Sequence, residues 1–343
     1  MSRALDADTV ASLQQDPNSA YSDIVKALST KTNGLLEIEF LGKSHALPEG
    51  CNVLVDGSSI AIPKPKLVQA FVVARKILLR YLKDCPDDKQ DELRNATAIV
   101  LLMDSEHLTA ANTRKRLIQK LQISSGAGFE VALREELQFV DSYLTSRLHR
   151  HTKSPTLWGH RRWILSVVKS AQSEHNILRD LQTVVLVAAE RHPRNYYAWS
   201  HMRWLLESFN DIIHRESSQS KTYSEIIAII KGWCLRHPGD ISGFSFLLCC
   251  LLKTCSTDSR TRTERSTERS EVLREVLNLT VSFKWTHESV WVFLRTLVAA
   301  EGTTRSDATA FYDAATGLLG VSSEGDPTIK AARDWCLKNE AIA

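Results

Sequence analysis

Chemistry in a protein chain needs a nucleophile beside a base, a cluster of metal ligands or a cradle for phosphate. None of these is written in one place here. The eleven histidines are scattered, with no Asp/Cys/His constellation at zinc-ligand spacing. No phosphate-binding glycine loop or nucleophile elbow occurs. The seven cysteines, at 51, 85, 234, 249, 250, 255 and 336, are odd in number and form no Cys-x-x-Cys pair. That pattern argues against a disulfide framework or a zinc knuckle and for buried thiols in a reducing compartment. What remains is RHPRNYYAWSHMRWLLE, residues 191–207, where Trp199, Arg203 and Leu206 recur at i, i+4 and i+7. This spacing puts an aromatic, a cation and an aliphatic side chain on one side of a helix.

The elements that position this stretch follow from composition and periodicity. With 343 residues, 43% hydrophobic and 24% charged, the chain has ample apolar material for a core. Its 43 basic residues face 40 acidic ones, and a net charge of +3 gives no bulk attraction to nucleic acid or a membrane surface. The first residues, MSRALDADTVASLQQDP, lack the apolar region of a signal peptide. No uncharged apolar run reaches the length of a membrane span. The C-terminal CLKNEAIA is not a prenylation box. Cytoplasm is the expected location.

Residues 1–90 form a distinct N-terminal region. A short helix or two is expected before 34, with Thr9–Leu13 its best core-facing piece. A small irregular or hairpin element is expected over 35–63, around the turn signal Asp56-Gly57, and a helix over 66–83. From 91 to 343 the pattern is almost wholly helical: 93–103, 107–122, 129–147, 154–170, 174–191, 222–236, 240–253, 271–282 and 287–300, then a weaker pair at 305–318 and 327–338. Ser124–Gly128 reads as a turn. The run TDSRTRTERSTERS, 257–270, has no apolar residue and reads as a solvated, mobile loop.

The 191–207 pattern is repeated. Trp199 aligns with Trp158 in RHTKSPTLWGHRRW, Phe244 in RHPGDISGFSFLL, Trp291 in KWTHESVWVFLRTL and Ala111 in SEHLTAANTRKRL. The copies lie near 105–117, 150–165, 191–206, 236–248 and 284–297. Each follows an amphipathic helix, which gives about five helical hairpins. One hairpin cannot bury its apolar face alone, so the expected fold is all-α: a right-handed α-α superhelix, or solenoid, with a small irregular N-terminal region. In this reading the framework is Trp158, His160, Arg161, Trp199, His201, Arg203 and Trp291. The tryptophans wedge between hairpins, and the cation three or four residues after each is placed for an intra-helical or inter-repeat contact.

At RNYYAWSHMRW (194–204) and KSPTLWGHRRW (153–163) the chain resembles the α-subunit repeat family of protein prenyltransferases, whose repeats read approximately Pro-Lys-Asn-Tyr-x-x-Trp-x-His-Arg-x-Trp. HESVWVFLR (287–295) is similar to that family's last repeat. The likeness covers about 95–300 and is strongest to the divergent repeat-containing branch. It implies a crescent-shaped α subunit bound to a prenyltransferase β subunit, an α-α barrel. That barrel would carry zinc, and possibly magnesium, with this chain holding no cofactor of its own.

The zinc would lower the pKa of an acceptor thiol for attack on an isoprenoid diphosphate. The resemblance also implies that Lys153 is an auxiliary catalytic residue stabilising the departing diphosphate. Arg194, Asn195 and Tyr196 would lie at the substrate. Two positions depart from the pattern: Pro155 stands where the family has a tyrosine, and Arg194 where it has a lysine. The implied function is the α-type subunit of a heterodimer that transfers a farnesyl or geranylgeranyl group to a protein cysteine, inactive alone. The alternative is a non-catalytic helical-repeat scaffold or adaptor. Neither reading calls for nucleic acid or a membrane span.

Overall fold

A computed structural model describes residues 16–32, 34–42, 45, 47, 48, 50–123, 128–171, 175–209, 219–252, 259–321 and 326–339. The Thr9–Leu13 and Ser124–Gly128 expectations fall outside these residues, apart from Gly128. The class is all-α with one small sheet. The chain divides into two compact units, residues 1–202 and 203–343.

The first unit opens with α1 (Pro17–Leu28), which starts on proline behind an Asp16 cap. A three-stranded sheet follows: β1 (Glu37–Leu41), β2 (Leu54–Asp56) and β3 (Ser59–Pro63), in the order β1-β3-β2. The hairpin expected at Asp56-Gly57 is the antiparallel β2–β3 pair, and Gly57 supplies the positive φ of 56° that its tight turn needs. β1 pairs with β3 in parallel, a non-local pairing that no turn signal announces. Ile38, Ile60 and Ile62 are the sheet's buried residues.

After α2 (Lys64–Tyr81) the hairpins begin. The first is α3 (Gln90–Met103) with α4 (Leu108–Ile123). The second is α5 (Gly128–Leu144) with α7 (Pro155–Ser170), joined through the single turn α6 (His149–Thr152). α8 runs as Ile177–Asp180, a π-helical turn Leu181–Val185 and Leu186–Arg191, and pairs with α9 (Tyr196–Ser208) as the third.

The N-terminal sheet braces the second and third hairpins. The Arg147 N–H donates to Ile38 O at 3.2 Å, and Leu36 N–H to Ser142 Oγ at 3.0 Å. Phe40 meets the His151 ring edge-on, and Arg191 pairs with Glu37 at 2.5 Å. Among the described residues before Gln90, those from Leu36 to Phe40 are thus held against these two hairpins.

The second unit continues with α10 (Gln219–Arg236), α11 (Ile241–Leu252), α12 (Ser259–Ser282), α13 (Glu288–Val298), α14 (Arg305–Val321) and α15 (Pro327–Asn339). Here α11, α13 and α15 pack in succession, and α12 lies against α14, so the terminal pair is one more hairpin of the same kind. The expected loop over 257–270 is helical from Ser259 onward. Propagating a helix that 271–282 already nucleates is cheap, even without apolar residues. The run is also tied down where it joins that segment: Arg269 donates to Glu301 O at 2.6 Å, and Ser270 to Asp307 at 2.7 Å.

Candidate functional site

The five aligned copies mark the start of α4, α7, α9, α11 and α13, and their parts recur in register. In four of the five copies the residue four before the aligned position caps the helix with its side chain, whereas His287, at that place before α13, makes no such bond. His107 Nδ1 accepts from Ala110 N–H (3.2 Å), Ser154 Oγ from Leu157 N–H (3.1 Å), Asn195 Oδ1 from Ala198 N–H (3.2 Å) and Asp240 Oδ1 from Gly243 N–H (2.9 Å). These bonds satisfy helix N–H groups that have no intrahelical partner.

The turns also hold one another. Ser154 Oγ donates to Ser105 O at 3.0 Å, Asn195 Nδ2 to Thr152 O at 2.8 Å, and Ser289 Oγ to Pro238 O. The indole N–H of Trp158 reaches Thr152 O, six residues back, at 2.9 Å, and Trp291 repeats the bond to Trp285 O at 2.8 Å. Trp158, Trp199 and Trp291 are buried, as their framework role requires.

Two and three residues after the aligned position lie the members of a buried charged cluster in the first unit. Arg114, on α4, forks onto Glu136 of α5 at 2.8 and 2.7 Å, and His160 of α7 donates to the same carboxylate at 2.7 Å. One hairpin later the motif returns. Arg161, on α7, reaches Asp180 of α8 at 2.8 Å through both terminal nitrogens and Asp141 of α5 at 2.7 Å, and donates to His201 Nε2 of α9 at 2.7 Å. His175 closes on Asp180 at 2.7 Å.

Each set is an arginine, an acid from the next hairpin's first helix and a histidine from its second. Burial is nearly complete: Arg161 and His201 are 0% exposed, His160 1% and Glu136 3%. Burial drives the His160 and His201 pKa values down, for His201 well down, and the adjacent Arg161 cation adds to the effect there. Both rings are therefore neutral, which leaves His201 Nε2 a lone pair for Arg161. Burial alone would raise Glu136, but the Arg114 and His160 contacts override it and hold the carboxyl near 2. Likewise Arg161 and His175 hold Asp180 below the usual carboxylate range despite its burial.

Lys153 stands elsewhere. It ends α6, half-buried, beside a pair of imidazoles, His149 and His192, whose centroids are 3.8 Å apart with the rings tilted by 47°. His192 is buried, and its Nε2 makes no hydrogen bond among the described residues. Burial lowers the His192 pKa, and Lys153 and His149 depress it further. Arg194 is exposed with a left-handed φ of 58°. Asn195 is fully buried, and its amide is used by Thr152 O, Ala188 O and Ala198 N–H. Tyr196 is 61% exposed and meets Tyr197 edge-on.

The Asn195 bond to Thr152 draws the 192–196 turn to the residue preceding Lys153, so the backbone near Lys153 and Asn195 is joined. The Asn195 amide itself faces protein. Arg203 donates to Ser245 at 2.9 Å. Among the described residues no group of three or more His, Cys, Asp or Glu is arranged to hold a metal, and no helix is long and apolar enough to cross a membrane.

Residues 157–276, from α7 into α12, match a family model described as the ECM9 middle domain. No curated protein matches the chain. The match corrects the resemblance to prenyltransferase α-subunit repeats. The stretch from Trp158 through RNYYAWSHMRW, where that likeness was strongest, belongs to the ECM9 middle-domain match. The reason is physical. Asn195 is a helix cap and a turn clamp, Trp158 and Trp199 fill the core, and His160, Arg161 and His201 bond to one another. The shared pattern is what stacked helical hairpins need for assembly.

The acids Glu136, Asp141 and Asp180 completing these sets were absent from the sequence reading. A signal was present in α5, where Glu136 falls between Leu133 and Val140 on the helix's buried stripe.

Proposed function

We propose that this chain is a non-catalytic helical-repeat scaffold or adaptor working in the cytoplasm, with protein surfaces as its ligands. The observation that carries the reading is the use of its ionisable motif residues. Arg114, Glu136, His160, Arg161, Asp180 and His201 are buried and bonded to each other, so none is presented to a substrate. The expectations of a prenyltransferase β subunit, its zinc or magnesium and an isoprenoid diphosphate depended on the corrected resemblance and have no other support.

The test is native affinity capture of the full chain, followed by assay of the recovered complex. The scaffold reading expects a stoichiometric protein partner that Lys153→Ala and Arg194→Ala retain equally well. A complex that transfers an isoprenoid to a protein cysteine, with turnover lost in Lys153→Ala, would contradict it.

A further inference from the structure

In a chain of nearly balanced charge, two neighbouring helices carry only one sign. Neither α4 nor α7 contains an aspartate or glutamate, whereas α5 carries Glu130, Glu135, Glu136 and Asp141. α4 packs beside α7, so their axes lie about 8–10 Å apart. The Arg114 and Arg161 charges are consumed in the buried sets. Lys115, Arg116, Arg162 and Lys169 lie on partly or fully exposed positions, Arg162 and Lys169 with partners of their own. Lys115 and Arg162 stand at the same register, four residues after Ala111 and Trp158.

Trp163, next to Arg162 in the chain, is half-buried, with the Lys115 ammonium 5.8 Å from its ring. Gly159 adds room, because a side chain there would meet nothing within 4 Å. Arg162 donates to Ser200 of α9 at 3.0 Å. Thr109, Asn112 and Gln119 line a shallow depression with Lys115 and Arg116. Among the described residues, acids stand at both ends of this ridge. Glu106 binds Thr156 at the start of α7, and the acidic 84–88 turn lies by Lys120, which donates to Cys85 O at 3.3 Å.

We propose that the solvent side of α4 and α7 is a docking surface for an acidic, extended segment of a partner protein, gripped by Lys115, Arg116, Arg162 and Lys169 around Trp163. The proposal rests on the scaffold reading and gives its partner a chemistry. Charge complementarity selects the occupant: carboxylates meet a ridge with no acid of its own, and an apolar side chain of the segment covers the indole. Burial lowers the Lys115 pKa, so an arriving carboxylate would stabilise its charged form. A nucleic acid fits less well. Four cations on one short ridge, in a chain of net charge +3, offer little of the phosphate neutralisation that drives such binding.

Fluorescence anisotropy of the full chain with a fluorescein-labelled peptide of about twelve Asp and Glu residues around a central Phe tests this. Saturable binding that weakens with added salt is expected. The Lys115→Glu/Arg162→Glu variant should weaken it at least ~10-fold, while Arg274→Ala leaves it unchanged. Circular dichroism checks the fold of the double variant. If it is unfolded, Arg116→Glu, at an exposed position, and Lys169→Glu give the same reading singly. No binding, or binding indifferent to these changes, overturns the proposal. So does a single-stranded RNA of equal length that displaces the peptide at lower concentration. Failure here with partner capture intact removes only this surface. Prenyl transfer by the captured complex would remove the scaffold reading itself.

Discussion

Two regions of the molecule build the same hairpin contact from different materials. Where the second hairpin meets its neighbours, the helices are joined through buried charge: Arg114 with Glu136 and His160, and Arg161 with Asp141, Asp180 and His201. Within the second unit the equivalent contacts are aromatic. Phe244 of α11 meets Phe293 of α13 at 5.3 Å, and Trp291 meets Phe311 of α14 at 5.9 Å, both edge-on. Aromatic pairs tolerate small slips between helices. A fork of hydrogen bonds does not, because a shifted helix strands a buried charge. The first unit therefore carries the stricter register, and it is also where the repeated motif is best preserved.

Breaking the charged contact should have the largest effect. Arg161→Ala leaves two buried carboxylates without their cation, an expected loss of about 3–5 kcal/mol in urea unfolding. Replacing Arg161, Asp141 and Asp180 together with Met, Leu and Leu should restore much of that stability, since the cost lies in the unpaired charge. Phe293→Ala, the matching cut in the aromatic region, should cost about 3–5 kcal/mol through the cavity it leaves. Unlike the arginine loss, it has no single-atom partner to rescue it. Joint replacement of Phe244 with Ala should add to the damage.

Acid should separate the regions next. Burial holds folded His151 unprotonated down to about 4, whereas an unfolded imidazole takes its proton near 6.5. Its contribution is complete above pH 6.5 and is lost as pH falls towards 4, about 2 kcal/mol at pH 5. His160 and His201 shift in the same direction. Glu136, held near 2, resists until lower pH: its contribution is present above about 4.3 and fades as pH falls towards 2. Thermal melts between pH 7 and 5 should fall steeply for the wild type and less steeply for a folded His151→Gln variant. A smaller loss, about 1–2 kcal/mol, is expected from Asn195→Ala, which removes the cap on α9 and its bond to Thr152 O.

Much of this architecture was legible beforehand. The hairpins and the register of Trp158, Trp199 and Trp291 follow from periodicity, because one apolar face per helix leaves a repeating trace. The caps were legible too, since Ser154, Asn195 and Asp240 are all capping types four residues before the aligned position. The resemblance implies a substrate site at Asn195, whereas the structure shows its amide bonded to the helix start and to Thr152 O.

The acids of the charged sets were hidden for a different reason. They come from first helices, and their offset from the tryptophan differs: Glu136 lies 22 residues before Trp158, but Asp180 lies 19 before Trp199. A period search cannot align such partners. The helix over 259–270 was missed because its order comes from 271–282 and from bonds to residues 301–307, outside the run itself.

If the motif residues are architecture, Arg161 and Asp180 must be energetically one unit. A double-mutant cycle in urea unfolding, using Arg161→Met, Asp180→Leu and both together, measures this directly. A coupling of about 2 kcal/mol or more, with the pair less damaged than either single change implies, is the predicted result. Two independent losses that add to within about 0.5 kcal/mol would contradict it.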